Sequence, residues 1–292
     1  MSSSDAAQPR PHSARRGRPP APISPAAGPL HRAWLESVRS VHRTSGLTLD
    51  ELVDLSGYSK TRISELLRGN GYYPAWEITF SVIRALGIPA APMCRLWAAA
   101  AREADKGPDW IRHCIEQVAH EAEHPPLPYQ VFTDTMSEPY LAYARAWLLT
   151  DKRARGVVAE ANDILWLRWD EATASANLNR YAWRLLRSRV MLRTNRWEGR
   201  PDLRAAVFAT REIRTSHDPG HMIALSELID LFSAISRLPA DQMDVAVLRH
   251  LCGIPDRTIP DVLGLSPAIA RAVDHHARAT VEALLDAPDT RE

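Results

Sequence analysis

The stretch GLTLDELVDLSGYSKTRISELLRG, residues 46–69, constrains this chain more than any other, because caps, turn glycine and apolar spacing agree within it. Thr48 with Glu51 makes a T-x-x-E capping box, which satisfies backbone N–H groups where a helix starts. Leu52 and Leu55 are expected to form the buried side of that helix. Gly57 falls where the chain must turn with a positive φ, a conformation cheap only for glycine. Ser59 then caps a second helix whose Ile63, Leu66 and Leu67 face inward, leaving Lys60, Thr61, Arg62, Ser64, Glu65 and Arg68 outward. A helix start that carries Lys, Thr, Arg and Ser suits a major groove, where hydroxyls and cations meet base edges and phosphates. The competing reading is a helical hairpin that merely packs.

The same periodicity extends on both sides. Trp34, Val38 and Val41 precede the motif, and Trp76, Phe80 and Ile83 and then Leu96 to Ala101 follow it, which predicts five short helices between Leu30 and Lys106. With SK-x-x-I-S-x-L-L-x-G followed by Pro74, Trp76 and Glu77, residues 30–104 resemble the Cro/repressor-type (XRE) helix-turn-helix family in its actinobacterial form. The resemblance implies a double-stranded DNA partner. It departs from the family at Leu49, where a glutamine is common and a phosphate or base contact is expected.

Beyond a helical stretch from Asp109 to His124, the prolines Pro125, Pro126 and Pro128 read as a linker. Helical runs then cover Phe132 to Arg196. The segment YARAWLLTDKRARGVVAEANDILWLRWDEATASANLNRYAWRLLRSRV, residues 143–190, is similar to region 2 of sigma-70-family factors. Residues 228–285 resemble region 4 of the extracytoplasmic-function group, a second helix-turn-helix. Two departures matter. Arg155 and Gly156 stand where the family places the acidic residues that dock on the polymerase clamp. The helix from Ser266 to Arg278 presents Ile269, Ala270, Ala272 and Val273, leaving Arg271, His275 and Arg278, with His276, as its polar candidates. Pro260 also falls in the short helix before it, where its missing N–H is tolerated only near the first turn.

Eight arginines lie between Arg180 and Arg204 against Glu198 and Asp202, a local excess of +6 in a chain whose net charge is only +1. That cluster, with Arg184, Arg187, Arg189 and Arg193 foremost, reads either as a second DNA or polymerase surface, with Trp183 and Trp197 as stacking faces, or as the solvated side of an amphipathic helix. The +1 total does not oppose nucleic-acid binding, since phosphates sense a local basic stripe and not the whole-chain sum.

Other chemistries lack a signature. Cys94, Cys114 and Cys252 form no CxxC pair and number three, which argues against a disulfide framework or structural zinc and for a reducing cytoplasm. His113, His120 and His124, and His217 with His221, have no placed carboxylate or thiolate partner, and the adjacent His275 and His276 point apart on a helix. No G-x-S-x-G, P-loop or G-x-G-x-x-G occurs, so neither an enzyme, a cofactor nor a metal is expected. No apolar run reaches the roughly 18–20 residues of a membrane span.

The expectation is an all-α chain. A Pro/Arg-rich disordered tail (1–29), carrying an RRGR run, precedes a repressor-type helix-turn-helix domain (30–106). A helical linker (107–128), a region-2-like domain (129–198), a linker (199–226), a region-4-like domain (227–286) and a short tail (287–292) follow. The expected function is a sequence-specific DNA-binding transcriptional regulator. Its alternatives are an atypical sigma factor that directs RNA polymerase to promoters, or a sigma-mimicking module that binds a sigma-interacting protein.

Overall fold

The computed structural model describes residues 21–118, 123–203 and 219–286. The RRGR run, His120, Arg204, His217 and both chain ends lie outside the described residues. Among the described residues the regular structure is helical apart from one two-residue ladder, β1 (Arg196–Trp197) against β2 (Arg200–Pro201).

Helices α1 (Pro29–Ser45), α2 (Leu49–Ser56), α3 (Lys60–Arg68), α4 (Trp76–Ala85) and α5 (Ala90–Glu103) surround an aromatic core. Trp34, Trp76 and Trp97 are withdrawn from solvent, and each such side chain stabilises the unit by about 2–3 kcal/mol. Tyr73 satisfies two of the polar groups that come with them: its hydroxyl accepts from Trp34 Nε1 (3.3 Å) and donates to the Trp97 carbonyl (2.7 Å). Trp97 Nε1 in turn donates to the Pro74 carbonyl (2.9 Å).

Two expected boundaries shift. Helix α6 (Pro108–Glu116), placed by its flanking prolines in a linker, buries Ile111 and Cys114 in this first core. Residues 21–28, assigned to the tail, lie against α1 and α3. Ser24 N–H donates to the Arg68 carbonyl (2.8 Å), Arg39 donates to the Ala21 carbonyl (2.7 Å), and Ala27 is buried. The segment orders because it supplies partners to a helix end whose last carbonyls otherwise lack them.

The remaining helices are α7 (Leu127–Leu148), α8 (Asp151–Leu167), α9 (Trp169–Ala174), α10 (Leu178–Arg193), α11 (Pro219–Ser236), α12 (Ala240–Ala246), α13 (Ile259–Leu263) and α14 (Pro267–Asp286). Pro128 and Pro260 both occupy first turns, where no amide donor is needed. Helix α12 widens into a π turn over Val247–Leu251, closed by the Cys252 N–H on the Val247 carbonyl (3.0 Å).

The stretches 129–198 and 227–286, expected as separate units, share one core. Tyr140, Tyr143, Trp147, Trp183 and Leu186 pack with Phe232, Ile235, Met243, Val247 and Val262. Helix α8 also closes the first core, through Ile164, and its Asp163 pairs with Arg95 of α5 (2.6 Å). The covering of α5 by α8 therefore joins the first five helices to the rest.

Candidate nucleic-acid interface

The α2–α3 hairpin is built from its caps outward. Thr48 Oγ1 accepts from the Glu51 N–H (3.2 Å), and the Glu51 carboxylate accepts from the Thr48 N–H (2.7 Å). Donation from the Thr48 N–H and the Thr48 hydroxyl to that carboxylate holds the Glu51 carboxyl below the usual carboxylate range. Gly57, at φ +74°, ends α2, and its N–H donates to the Val53 carbonyl (2.9 Å). Ser59 Oγ accepts from the Arg62 N–H (3.5 Å) and starts α3. Leu52, Ile63 and Leu66 then seat both helices on the core, whereas Leu67 is only half-buried. Leu55 does not bury: 56% of it remains exposed, because the inward side of α2 runs through Leu52, Val53 and Ser56.

The candidate reading residues divide. Lys60, Thr61, Arg62 and Glu65 are exposed. Lys60 Nζ rests on Asp50 Oδ1 of α2 (2.7 Å), both groups in solvent, a pair worth about 0–1 kcal/mol and thus easily exchanged for a phosphate. Ser64 and Arg68 engage each other instead: Arg68 donates to Ser64 Oγ (2.8 Å) and to the Ser64 carbonyl (3.2 Å). They brace the end of α3, while its start is open. Sequence reasoning missed Tyr72, 94% exposed in the loop after α3; the paired tyrosines of GYYP were the available sign, since the core accepts only Tyr73.

Part of the arginine cluster turns to carboxylates of neighbouring helices. Arg187 Nε lies 2.9 and 2.7 Å from the two Asp244 oxygens, and Arg189 and Arg193 both pair with Glu160 (3.0 and 2.5 Å). Arg180 pairs with Asp241 (2.9 Å). Arg187, Arg189 and Arg193 thus turn to carboxylates of α8 and α12, with Arg189 and Arg193 sharing Glu160, and Arg184 alone of the four candidates is exposed. Trp183 is no stacking face either, being buried with its Nε1 donating to Asp244 (3.1 Å). Burial pushes the Asp244 carboxyl up from its ordinary range, and Arg187, Tyr143 and Trp183 pull against that rise. Glu160 is raised by burial in the same way, opposed by Arg193 and Arg189.

On α14, Arg271, His275 and Arg278 are exposed, with Arg278 held to Asp274 (3.1 Å). Arg249 of the π turn also grips Asp274 and Asp256. Ile269 stays 52% exposed, while Ala270 is buried and Val273 packs on the core, so the apolar side of α14 is divided between interior and solvent. Asn177 and Asn179 donate to the Gly264 and Asp261 carbonyls (3.3 and 2.8 Å), which fixes the start of α10 against the turn before α14.

No protein-family model, no curated protein and no solved structure matches this chain.

Proposed function

We propose that this chain is a sequence-specific DNA-binding transcriptional regulator that reads duplex DNA with the start of α3. The observation that carries this reading is the open first turn of α3, where Lys60, Thr61 and Arg62 stand in solvent on a capped helix anchored by Ile63 and Leu66. Selection of bound duplexes from a random-sequence library by the full chain should enrich one motif. Lys60→Ala or Arg62→Ala should then cost about 1–3 kcal/mol on that motif where the side chain meets a base bidentately, and less where it meets phosphate. Equal affinity for all sequences at physiological salt would refute the reading.

The remainder acts, on this proposal, as a protein-binding module of sigma-like frame, contacting RNA polymerase or a sigma-interacting protein. The engagement of Arg187, Arg189 and Arg193 of α10 with Asp244 and Glu160 favours that role over a second DNA surface. Arg155 is exposed and paired with Asp151 (3.3 Å), so a cation and a glycine occupy the expected acidic docking position. Like-charge approach to a basic clamp disfavours orthodox docking. Run-off transcription with core polymerase and this chain alone is expected to give no site-specific initiation; robust initiation would establish the atypical sigma factor instead.

A further inference from the structure

Residues 21–28 form a strap fixed at the carboxyl end of α3. The Ser24 N–H donates to the Arg68 carbonyl (2.8 Å), and the Ser24 carbonyl accepts from the Ala27 N–H (3.1 Å) and from Arg32 (3.0 Å). Ile23 packs on the first core, and Ala27 is buried beside Gly69. Gly69 ends α3 at φ +65°; a Cβ there would meet Leu35 Cδ1 at 2.8 Å and Ala27 Cβ at 3.4 Å, so the close approach of strap and helix depends on that glycine. Arg39 of α1 donates to the Leu67 carbonyl (3.3 Å) and to the Ala21 carbonyl (2.7 Å), which sets Ala21 beside the last turn of α3.

Whatever precedes Ala21 therefore leaves from a fixed point next to the helix that presents Lys60, Thr61 and Arg62. The twenty residues before it, which lie outside the described residues, carry Arg10, Arg15, Arg16 and Arg18 against the single carboxylate of Asp5. In Arg16-Gly17-Arg18-Pro19-Pro20 two cations flank a residue without a side chain. That pattern suits a minor groove about 6 Å wide: glycine lets a backbone approach the floor, guanidiniums donate to the A N3 and T O2 acceptors, and the exocyclic amine of a guanine obstructs the same path. A proline disfavours the helical region for the residue before it, and in an extended chain residues two apart project to the same side. Reach agrees as well. At about 3.4 Å per residue, Arg18 extends to roughly 10 Å and Arg16 to roughly 17 Å from Ala21, whereas α3 from Lys60 to Arg68 is about 12 Å long.

We propose that Arg16 and Arg18 read the minor groove at an A·T-rich step flanking the α3 site, with the strap of residues 21–28 aiming them there. The placement rests on the DNA-reading role of α3, and the two readings separate by experiment.

The test is fluorescence anisotropy of the full chain, at fixed salt, on the duplex motif enriched from a random library, with the flanks varied. A·T flanks are expected to bind about tenfold more tightly than G·C flanks. Inosine·cytosine flanks, which keep the major-groove pattern of G·C but lack its minor-groove amine, should bind like A·T. Arg16→Gln with Arg18→Gln should level the three flanks and leave the urea midpoint of unfolding unchanged, while Lys60→Ala or Arg62→Ala should weaken binding to all three alike. Moving the A·T step outward by one helical turn, about 34 Å, should abolish the preference, because it passes beyond the reach from Ala21. A motif bound equally in every flank overturns this proposal and leaves the α3 reading standing. So does inosine·cytosine behaving like G·C, or a preference that survives the double variant or the one-turn shift. Binding to A·T duplexes that the double variant abolishes and that Lys60→Ala and Arg62→Ala leave intact would keep the minor-groove contact and overturn the α3 reading. No saturable binding to any duplex overturns both.

Discussion

Asp244→Ala removes the acceptor on which the larger core converges. Asp244 is fully buried and accepts from Tyr143 Oη (2.7 Å), from Trp183 Nε1 (3.1 Å) and, at both oxygens, from Arg187 Nε. Truncation strands two neutral donors, at about 1–3 kcal/mol each, and one buried guanidinium, at about 3–5 kcal/mol. These costs do not add, and Arg187 keeps 25% of its side chain in water, which lets the cation regain hydration. A net loss of about 4 kcal/mol follows, a large share of the 5–15 kcal/mol that holds a typical domain folded. Urea unfolding followed by tryptophan fluorescence should show the midpoint falling by about 1–2 M. Replacing the pair together, Asp244→Leu with Arg187→Met, should recover most of the loss, because the desolvation cost of both charges disappears. A loss under about 1 kcal/mol for Asp244→Ala, or a double variant no more stable than the single one, would refute the assignment of this network as the tie between α10 and α12.

Gly264→Ala places a Cβ against the Arg180 backbone at a residue with φ +61°, and should cost about 2–4 kcal/mol, read as faster amide exchange in α14. His31, stacked on Trp34, is depressed to about 4 by burial and by Arg32. Its stabilising contribution is complete above about pH 6.5 and is lost as pH falls toward 4, by about 3 kcal/mol; urea midpoints against pH should show this slope, and a wild-type profile as flat as that of His31→Phe would refute it. Thr48→Ala breaks the capping box and should cost about 1 kcal/mol of thermal or urea stability. Arg155→Glu with Gly156→Glu, at positions open to solvent, should strengthen capture of core RNA polymerase in a pull-down if the frame is sigma-like; unchanged capture counts against that frame.

Local chemistry made the first unit legible without coordinates. The Thr48–Glu51 box, the Gly57 turn, the Ser59 cap and the spacing of Ile63 and Leu66 act within a few residues of each other, so their meaning does not depend on what packs nearby. The exposed Lys60, Thr61 and Arg62 follow from the same arithmetic. Leu55 shows its limit, since an apolar residue at a correct helical position buries only if another element arrives to cover it. The arginines of α10 show it more strongly. Their number and spacing were plain in the sequence, but the carboxylates that three of them meet, Glu160 and Asp244, stand 29 to 57 residues away from Arg189 and Arg187 along the chain. The joining of α5 to α8 through Arg95 and Asp163, and the seating of residues 21–28 against α1 and α3, likewise exist only once distant segments meet. Charge composition states how many cations a segment carries; whether they face water, a ligand or a buried carboxylate is decided by tertiary packing, because the free energy of a charge depends on its solvation and on the partners within a few ångströms.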